Sequence, residues 1–137
     1  MQTNPATPQA LDTFTAHYIA AALQLCDEEI GTDATIENLA PEALAKMEAD
    51  CAEFFKLAFD GEAPGYMMGE DGELTPFPIE QSGTDFWLTR NGHGTGFWDR
   101  EEMYGPFEAA RLDEVSQEFN EADLYTGDNG LVYHSPA

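Results

Sequence analysis

Residues 85–100 of this 137-residue chain read DFWLTRNGHGTGFWDR. Two aromatic runs flank an Asn-Gly pair and further glycines, and Phe, Trp and Thr favour strands, so the pattern predicts a β-hairpin. Trp87 and Trp98 would then approach each other across the two strands. This segment therefore predicts a β-sheet, whereas most other segments with a regular apolar pattern predict helices.

Two amphipathic helices are predicted before this segment, over residues 8–26 and over residues 41–59, with apolar side chains at three- and four-residue spacing. We expect their apolar stripes to pack together. Cys26 and Cys51 lie on these stripes and lack the spacing of a metal site, which predicts buried free thiols. His17 lies off the first stripe and is predicted at the surface.

The remaining segments complete a mixed fold. Residues 60–84 hold five Gly, three Pro and six acids without a sustained period, which predicts an acidic loop with one short strand. A short helix follows with Leu112 on its apolar face and Asp113 as its cap, and residues 122–133 predict a second hairpin. The order predicts an α+β fold in one domain, residues 1–137. Two N-terminal helices pack on a small antiparallel sheet of two hairpins, with a third short helix between the hairpins.

The charge balance is the strongest compositional signal. The chain has 27 Asp and Glu against 5 Lys and Arg, a formal net charge of -22. All five bases lie in residues 46–56 and 90–111, which leaves three long base-free stretches. Unpaired like charges repel and lower stability, and solubility is reached at a far smaller net charge. The pattern therefore favours a positively charged partner over the alternative, an acidic surface that serves solubility alone.

The predicted partner-binding residues are acids of the base-free stretches. Three of them directly follow the last apolar position of the first predicted helix, where the helix dipole disfavours negative charge. The candidates are Asp27, Glu28, Glu29, Asp33, Glu37, Glu62, Glu70, Asp71, Glu73, Asp113, Glu114, Glu118 and Glu121.

Motifs for catalysis and for metal binding are weak. His93 beside Asp99 could act as a general base, but the sequence has no nucleophile motif, no phosphate-binding loop and no histidine pair at ligand spacing. The acids of residues 60–73 do not follow the register of a calcium-binding loop. We therefore predict a protein without enzymatic activity, cofactor or metal. A phosphate backbone would be repelled, so direct binding of nucleic acid is not expected. No stretch approaches the length of a membrane span.

Residues 85–100, together with residues 123–133, resemble a segment of small uncharacterised proteins encoded by bacteriophages and other mobile elements. These proteins have no established activity, so the resemblance implies a phage setting only. In charge alone, the chain is similar to DNA-mimic inhibitors, which include anti-restriction proteins, the uracil-DNA glycosylase inhibitor and several anti-CRISPR proteins.

The leading hypothesis is an inhibitor that binds a basic host protein or ribonucleoprotein, such as a defence nuclease, in the bacterial cytoplasm. An acidic surface would be steered into a groove that the nuclease keeps for nucleic acid. One alternative is a binding module that uses the Trp87/Trp98 hairpin as an apolar contact, and another is a small enzyme that uses His93 and Asp99. The oligomeric state stays open, a homodimer included.

Overall fold

The computed structural model of the chain describes residues 7–25, 35–68, 72–92 and 95–135. These residues form the predicted mixed fold of helices and antiparallel strands. The helices are α1 (Thr7–Leu25), α2 (Pro41–Phe59), α3 (Ile79–Arg90), α4 (Glu101–Tyr104) and α5 (Pro106–Gln117). The strands are β1 (Tyr66–Met68), β2 (Leu74–Pro76), β3 (Asp123–Thr126) and β4 (Val132–Ser135), and 3-10 turns lie at Ile36–Asn38 and Phe97–Asp99.

The two N-terminal helices form where the sequence predicts them, and their apolar stripes meet. The ring of Phe14 in α1 stacks on Phe54 of α2 at 5.2 Å and meets Phe55 edge-on at 5.0 Å. Pro41 suits the first turn of α2 because the amide that it lacks would have no partner there. Asp60 ends α2 in the left-handed conformation, with φ 54°. The predicted packing of the two helices is confirmed.

The two cysteines were predicted to be buried thiols, and the structure describes one of them. Cys51 is a free thiol with no exposed surface, as predicted. Burial raises its pKa far above the ordinary value, so the thiol stays protonated and unreactive at neutral pH. Cys26 lies outside the described residues.

The hairpin predicted at residues 85–100 is wrong, because residues 79–90 form the helix α3. Eight of the twelve residues of α3 are buried, so the helix is enclosed on nearly all sides. An enclosed helix has no one-sided apolar stripe, and periodicity cannot distinguish its short apolar run from a strand. The Asn-Gly pair ends this helix instead of turning a hairpin: Gly92 adopts φ +63° and donates to the carbonyl of Thr89.

The two tryptophans consequently lie in different environments. Trp87 is fully buried in α3, where its ring meets Tyr18 edge-on at 5.5 Å. Trp98 lies in the 3-10 turn that follows, and 52% of its surface is exposed. Only Trp98 can therefore contact a partner.

A glycine allows α3 to lie close against α1. A Cβ atom at Gly83 would come within 2.2 Å of the backbone carbonyl oxygen of Phe14. A backbone atom cannot rotate away as a side chain can, so this contact needs the absence of a side chain. Gly83 thus sets the separation of the two helices.

The strands form two separate two-stranded sheets, and each is an antiparallel hairpin. The β3–β4 hairpin was predicted, and its turn is closed by Gly130, with φ +82°. The other hairpin, β1–β2, lies inside the segment predicted as an acidic loop with one strand. Residues 60–84 were predicted to hold one strand, but they hold both strands of this hairpin, and the two hairpins among the described residues form separate sheets instead of one. Leu39 adds an isolated parallel bridge to Val132 of β4.

Three helices, not one, separate the two hairpins. The predicted short helix is α5, and Leu112 is buried on its inner face. Asp113 is not the cap of α5, because the helix already begins at Pro106 and its N-terminal capping residue is Gly105, with φ +85°. Asp113 instead accepts a hydrogen bond from Gln117 one turn later. The additional helices are α3 and the short α4.

Candidate partner-binding surface

Four of the five basic side chains, all of which lie among the described residues, form ion pairs within the chain. The pairs are Arg90–Asp50 at 2.8 Å, Lys46–Asp50 at 2.9 Å, Arg100–Asp85 at 2.8 Å and Arg111–Glu108 at 2.8 Å. The fifth base, Lys56, is exposed on α2. The bases are thus used mainly to neutralise internal acids, and little positive charge reaches the surface.

Arg90 is the centre of the first buried polar network. Its guanidinium donates to Asp50, to the Tyr18 hydroxyl and to the carbonyl of Asn120, and it lies over the ring of Phe119 at 5.4 Å. Burial acts to raise the pKa of Asp50, but the hydrogen bonds from Arg90 and Lys46 outweigh it and hold the pKa below its ordinary value. This network joins α1, α2 and α3 and is structural.

Asp85 forms the second buried network and has no exposed surface. Its carboxylate accepts hydrogen bonds from Gln81, Arg100 and the Tyr104 hydroxyl, and Tyr104 also lies within hydrogen-bond distance of Ser82. Burial and the charge of Asp85 raise the pKa of Tyr104, so its hydroxyl stays a donor. Asp85 and Arg100 are the first and last residues of the DFWLTRNGHGTGFWDR segment, so an ion pair closes that segment on itself.

The exposed surface carries most of the remaining acids. Fifteen acidic side chains of the described residues are exposed, against one basic side chain. The exposed acids are Asp12, Glu37, Glu42, Glu48, Glu53, Asp60, Glu73, Glu80, Asp99, Glu101, Glu102, Glu114, Glu118, Glu121 and Asp128.

The predicted partner-binding acids divide into three groups. Six of them lie outside the described residues: Asp27, Glu28, Glu29, Asp33, Glu70 and Asp71. Three lie apart on other elements: Glu37 is exposed in the first 3-10 turn, Glu62 is partly buried after α2, and Glu73 is exposed before β2. The remaining four form one group at the C-terminal end of α5: Asp113, Glu114, Glu118 and Glu121.

The acids at the end of α5 lie where the helix itself disfavours them. Glu114 is in the last turn, Glu118 is the C-terminal capping residue, and no basic residue lies in that turn. The C-terminal end of a helix carries partial negative charge, so each acid there costs roughly 0.3–1 kcal/mol at an exposed position. Both side chains are exposed and gain nothing from burial. The stability of α5 therefore does not explain this placement.

A cleft of about 400 Å³ lies beside this acidic end of α5. Its lining joins the end of α3, the second 3-10 turn, the C-terminal part of α5 and the segment after it, and includes Arg90, Trp98, Asp113, Gln117, Asn120 and Glu121. The half-exposed indole of Trp98 thus shares one concave surface with two of the predicted acids. Sequence reasoning named Asp113, Glu121 and Trp98 for different hypotheses, and the fold brings the three together.

Asp113 is the partly desolvated acid of this cleft. Burial raises its pKa, the hydrogen bond from Gln117 lowers it, and the neighbouring Glu114 raises it further; the pKa lies above its ordinary value. The free energy of the ionised carboxylate is therefore raised in the unbound protein. A positive group placed in the cleft would relieve this cost.

The contacts of Asp99 do not support the alternative catalytic pair of His93 and Asp99. Asp99 accepts hydrogen bonds from the Gly96 amide at 3.0 Å and from the Thr95 hydroxyl at 2.9 Å. The backbone hydrogen bond from Gly96 is the main cause that lowers the pKa of Asp99, so the side chain is a stabilising acceptor in the turn. His93 lies outside the described residues, so the structure does not place it near Asp99.

A larger cavity of about 660 Å³ lies between α1 and the start of α3. Gln9, Thr13, His17, Phe77 and Thr84 are among the residues that line it. His17, predicted at the surface, is partly buried at this cavity. This mixture of amides, hydroxyls, apolar groups and one acid, Glu80, does not specify a ligand.

Two searches of the described residues bear on other classes of function. Within residues 7–25, 35–68, 72–92 and 95–135, no three His, Cys, Asp or Glu side chains converge on a possible metal position. Over the same residues, every helix is too short or too polar to cross a membrane. Comparison of the chain with protein-family models, with curated proteins and with solved structures finds no match.

Proposed function

We propose that this chain is a phage-encoded acidic inhibitor that occupies the basic nucleic-acid-binding surface of a host defence nuclease complex. It would act in the host cytoplasm, without enzymatic activity and without a cofactor. The observation that carries the proposal is the internal use of four of the five bases, which leaves fifteen exposed acids against one exposed base among the described residues.

An acidic surface of this kind favours basic grooves over nucleic acid for two physical reasons. Its electrostatic field raises the rate of encounter with a positively charged surface, and its negative charge repels nucleic acid. The acids at the end of α5 support the same reading, because they lower the stability of the helix on which they lie. The resemblance to phage proteins supplies the biological setting in which such an inhibitor is useful.

The test compares two triple variants that remove the same amount of charge. One variant carries Glu114→Gln, Glu118→Gln and Glu121→Gln at the end of α5, and the control carries Glu42→Gln, Glu48→Gln and Glu53→Gln on α2. All six side chains are exposed. The tagged wild-type chain first captures its target from a bacterial lysate at low salt and at high salt, and mass spectrometry identifies the target.

Affinity for the purified target is then measured by calorimetry over a range of salt concentrations. At roughly 0.5 kcal/mol for each exposed ion pair, the α5 variant should bind about 10-fold more weakly. Its salt dependence should also be shallower, and the α2 control should lose less. The wild-type chain should displace labelled nucleic acid from the target. Affinity that is independent of salt and of both variants would contradict the proposal.

The rival binding module now depends on Trp98 alone, since Trp87 is buried. If Trp98 were the main contact and the acids served solubility, Trp98→Ala would abolish capture of the target and salt would have little effect. The enzyme hypothesis has a separate test. Full inhibition by a His93→Ala variant would remove it.

A further inference from the structure

We infer that the cleft beside Trp98 is a binding site for an arginine side chain of the partner. The arginine would come from the basic partner, so this part rests on the proposed function. The binding site itself is a property of the cleft and can be tested without any partner.

The charges around the cleft favour a cation. Asp113 and Glu121 contribute two carboxylates to the lining, and neither forms an ion pair among the contacts of the described residues. Arg90 is the basic residue of the lining, but its guanidinium is 2.8 Å from Asp50 and also donates to the carbonyl of Asn120. Arg90 is therefore engaged inside the fold, and Asp113 and Glu121 are the carboxylates of the lining that a ligand could meet.

The side chain of Trp98 favours arginine over lysine as the cation. Trp98 lines the cleft and 52% of its surface is exposed, while Phe97, its neighbour in the same turn, is fully buried. Tryptophan is the best aromatic partner for a cation over its ring face, and arginine is found there more often than lysine. The planar guanidinium can stack on an indole while its fork donates to carboxylates, which a compact ammonium does less well.

The volume of the cleft agrees with a side chain as the occupant. About 400 Å³ lies in the lower part of the range of small-molecule sites, roughly 300–1,000 Å³. Glu114 and Glu118 do not line the cleft but are exposed at the same end of α5, where they would face the rest of a basic surface. The arginine would be the anchor, and the outer acids would supply attraction at longer range.

The experiment titrates the full chain with N-acetyl-arginine amide and follows backbone and side-chain resonances of Trp98, Gln117 and Asn120 by NMR. The matched control ligand is N-acetyl-citrulline amide, which has nearly the same shape and no charge. We expect a saturable shift with the arginine compound, a weaker response to N-acetyl-lysine amide and little response to citrulline.

Two variants locate the site, and two others serve as controls. Glu121→Gln should weaken arginine binding by about 2- to 5-fold, the size of one exposed ion pair. Trp98→Ala should weaken it by a similar factor of about 2 to 5, the size of an exposed cation–π contact. Phe107→Ala is the aromatic control, because Phe107 is 78% exposed and does not line the cleft. Glu53→Gln on α2 is the charge control, and both controls should leave the dissociation constant unchanged.

The possible outcomes separate this inference from the proposed function. Equal responses to arginine and citrulline, or equal dissociation constants in Glu121→Gln, Trp98→Ala and both controls, overturn the inference. If the cleft binds arginine but the chain captures no basic target, the arginine site is supported and the proposed inhibitor function is overturned. If the chain captures a target through the acids of α5 but does not bind the arginine compound, the inhibitor function is supported and the arginine site is overturned.

Discussion

The segment of residues 85–100 and the helix α5 use charge in opposite ways. In the first, Asp85, Arg90 and Arg100 are buried or partly buried, and each has a charged partner. In the second, Glu114 and Glu118 are exposed at the helix end that disfavours them. Buried charges must be paired, because an isolated one is very costly. The comparison teaches that the position of an acid in the fold, and not the total number of acids, decides whether it forms a stabilising internal pair or stays exposed at the surface.

The largest effect is expected from a change that breaks the paired region. Asp85→Ala would leave the Tyr104 hydroxyl and the Arg100 guanidinium without their shared acceptor. Removal of one partner of a buried pair costs about 3–5 kcal/mol of unfolding free energy. Urea denaturation followed by circular dichroism measures it. Glu114→Gln is the matched control in α5, and a comparable loss in that variant would show that the two regions do not differ.

A smaller effect should distinguish the two regions by the sign of their pH dependence. The pKa of Asp50, the partner of Arg90, lies below its ordinary value, so its contribution to stability is present above the unfolded pKa of about 3.9 and is lost as the pH falls through the folded pKa. The pKa of Asp113 in α5 is raised, mainly by burial. Its contribution has the opposite sign: stability is gained as the pH falls through the folded pKa.

Unfolding free energies measured from pH 6 to pH 2 test this difference. Relative to the wild-type curve, Asp50→Asn should weaken the loss of stability in acid, and Asp113→Asn should weaken the gain. Both asparagines keep the size of the side chain. Changes of the same sign in the two variants would contradict the pKa directions assigned to these carboxyl groups.

The smallest effect is expected in α5 itself. Glu118→Lys replaces an acid with a base at the C-terminal end of the helix and should stabilise the chain by roughly 0.3–1 kcal/mol at low salt. Glu108→Lys is the control with opposite sign, because Glu108 lies in the first turn of the same helix and pairs with Arg111. Thermal melts at low and high salt measure both. A higher melting temperature in the Glu108→Lys variant would contradict the expected effects of the helix dipole and of the Glu108–Arg111 ion pair.

The sequence predicts the elements that have one apolar and one polar face and fails for α3, which is buried on nearly all sides. α1, α2 and the β3–β4 hairpin carry an apolar side and a polar side, and each lies close to its predicted position. α3 is enclosed, so its polar residues are paired inside the fold and break the pattern that periodicity detects. Start and stop signals were nevertheless present: Glu80 lies in the first turn, Arg90 lies in the last turn, and Asn91-Gly92 follows.

The candidate site was predictable in part for a similar reason. Charge along the chain identified the acids of α5, because a base-free stretch is visible in one dimension. The cleft was not visible, since Trp98 reaches Asp113 and Glu121 only through the packing of the 3-10 turn on α5. The sequence assigned these residues to rival hypotheses, whereas the fold lets one surface use both the ring and the carboxylates.

The internal use of the basic residues also affects proteolysis. A protease that cuts after lysine or arginine has five positions in this chain, and Lys46, Lys56, Arg90 and Arg111 lie in helices whose backbone is hydrogen-bonded. Arg100 lies at the start of α4, held by Asp85. Residues 1–45, 57–89 and 112–137 contain no such position. Digestion by trypsin at the positions inside helices would therefore require local opening of those helices, and its rate would report on that opening.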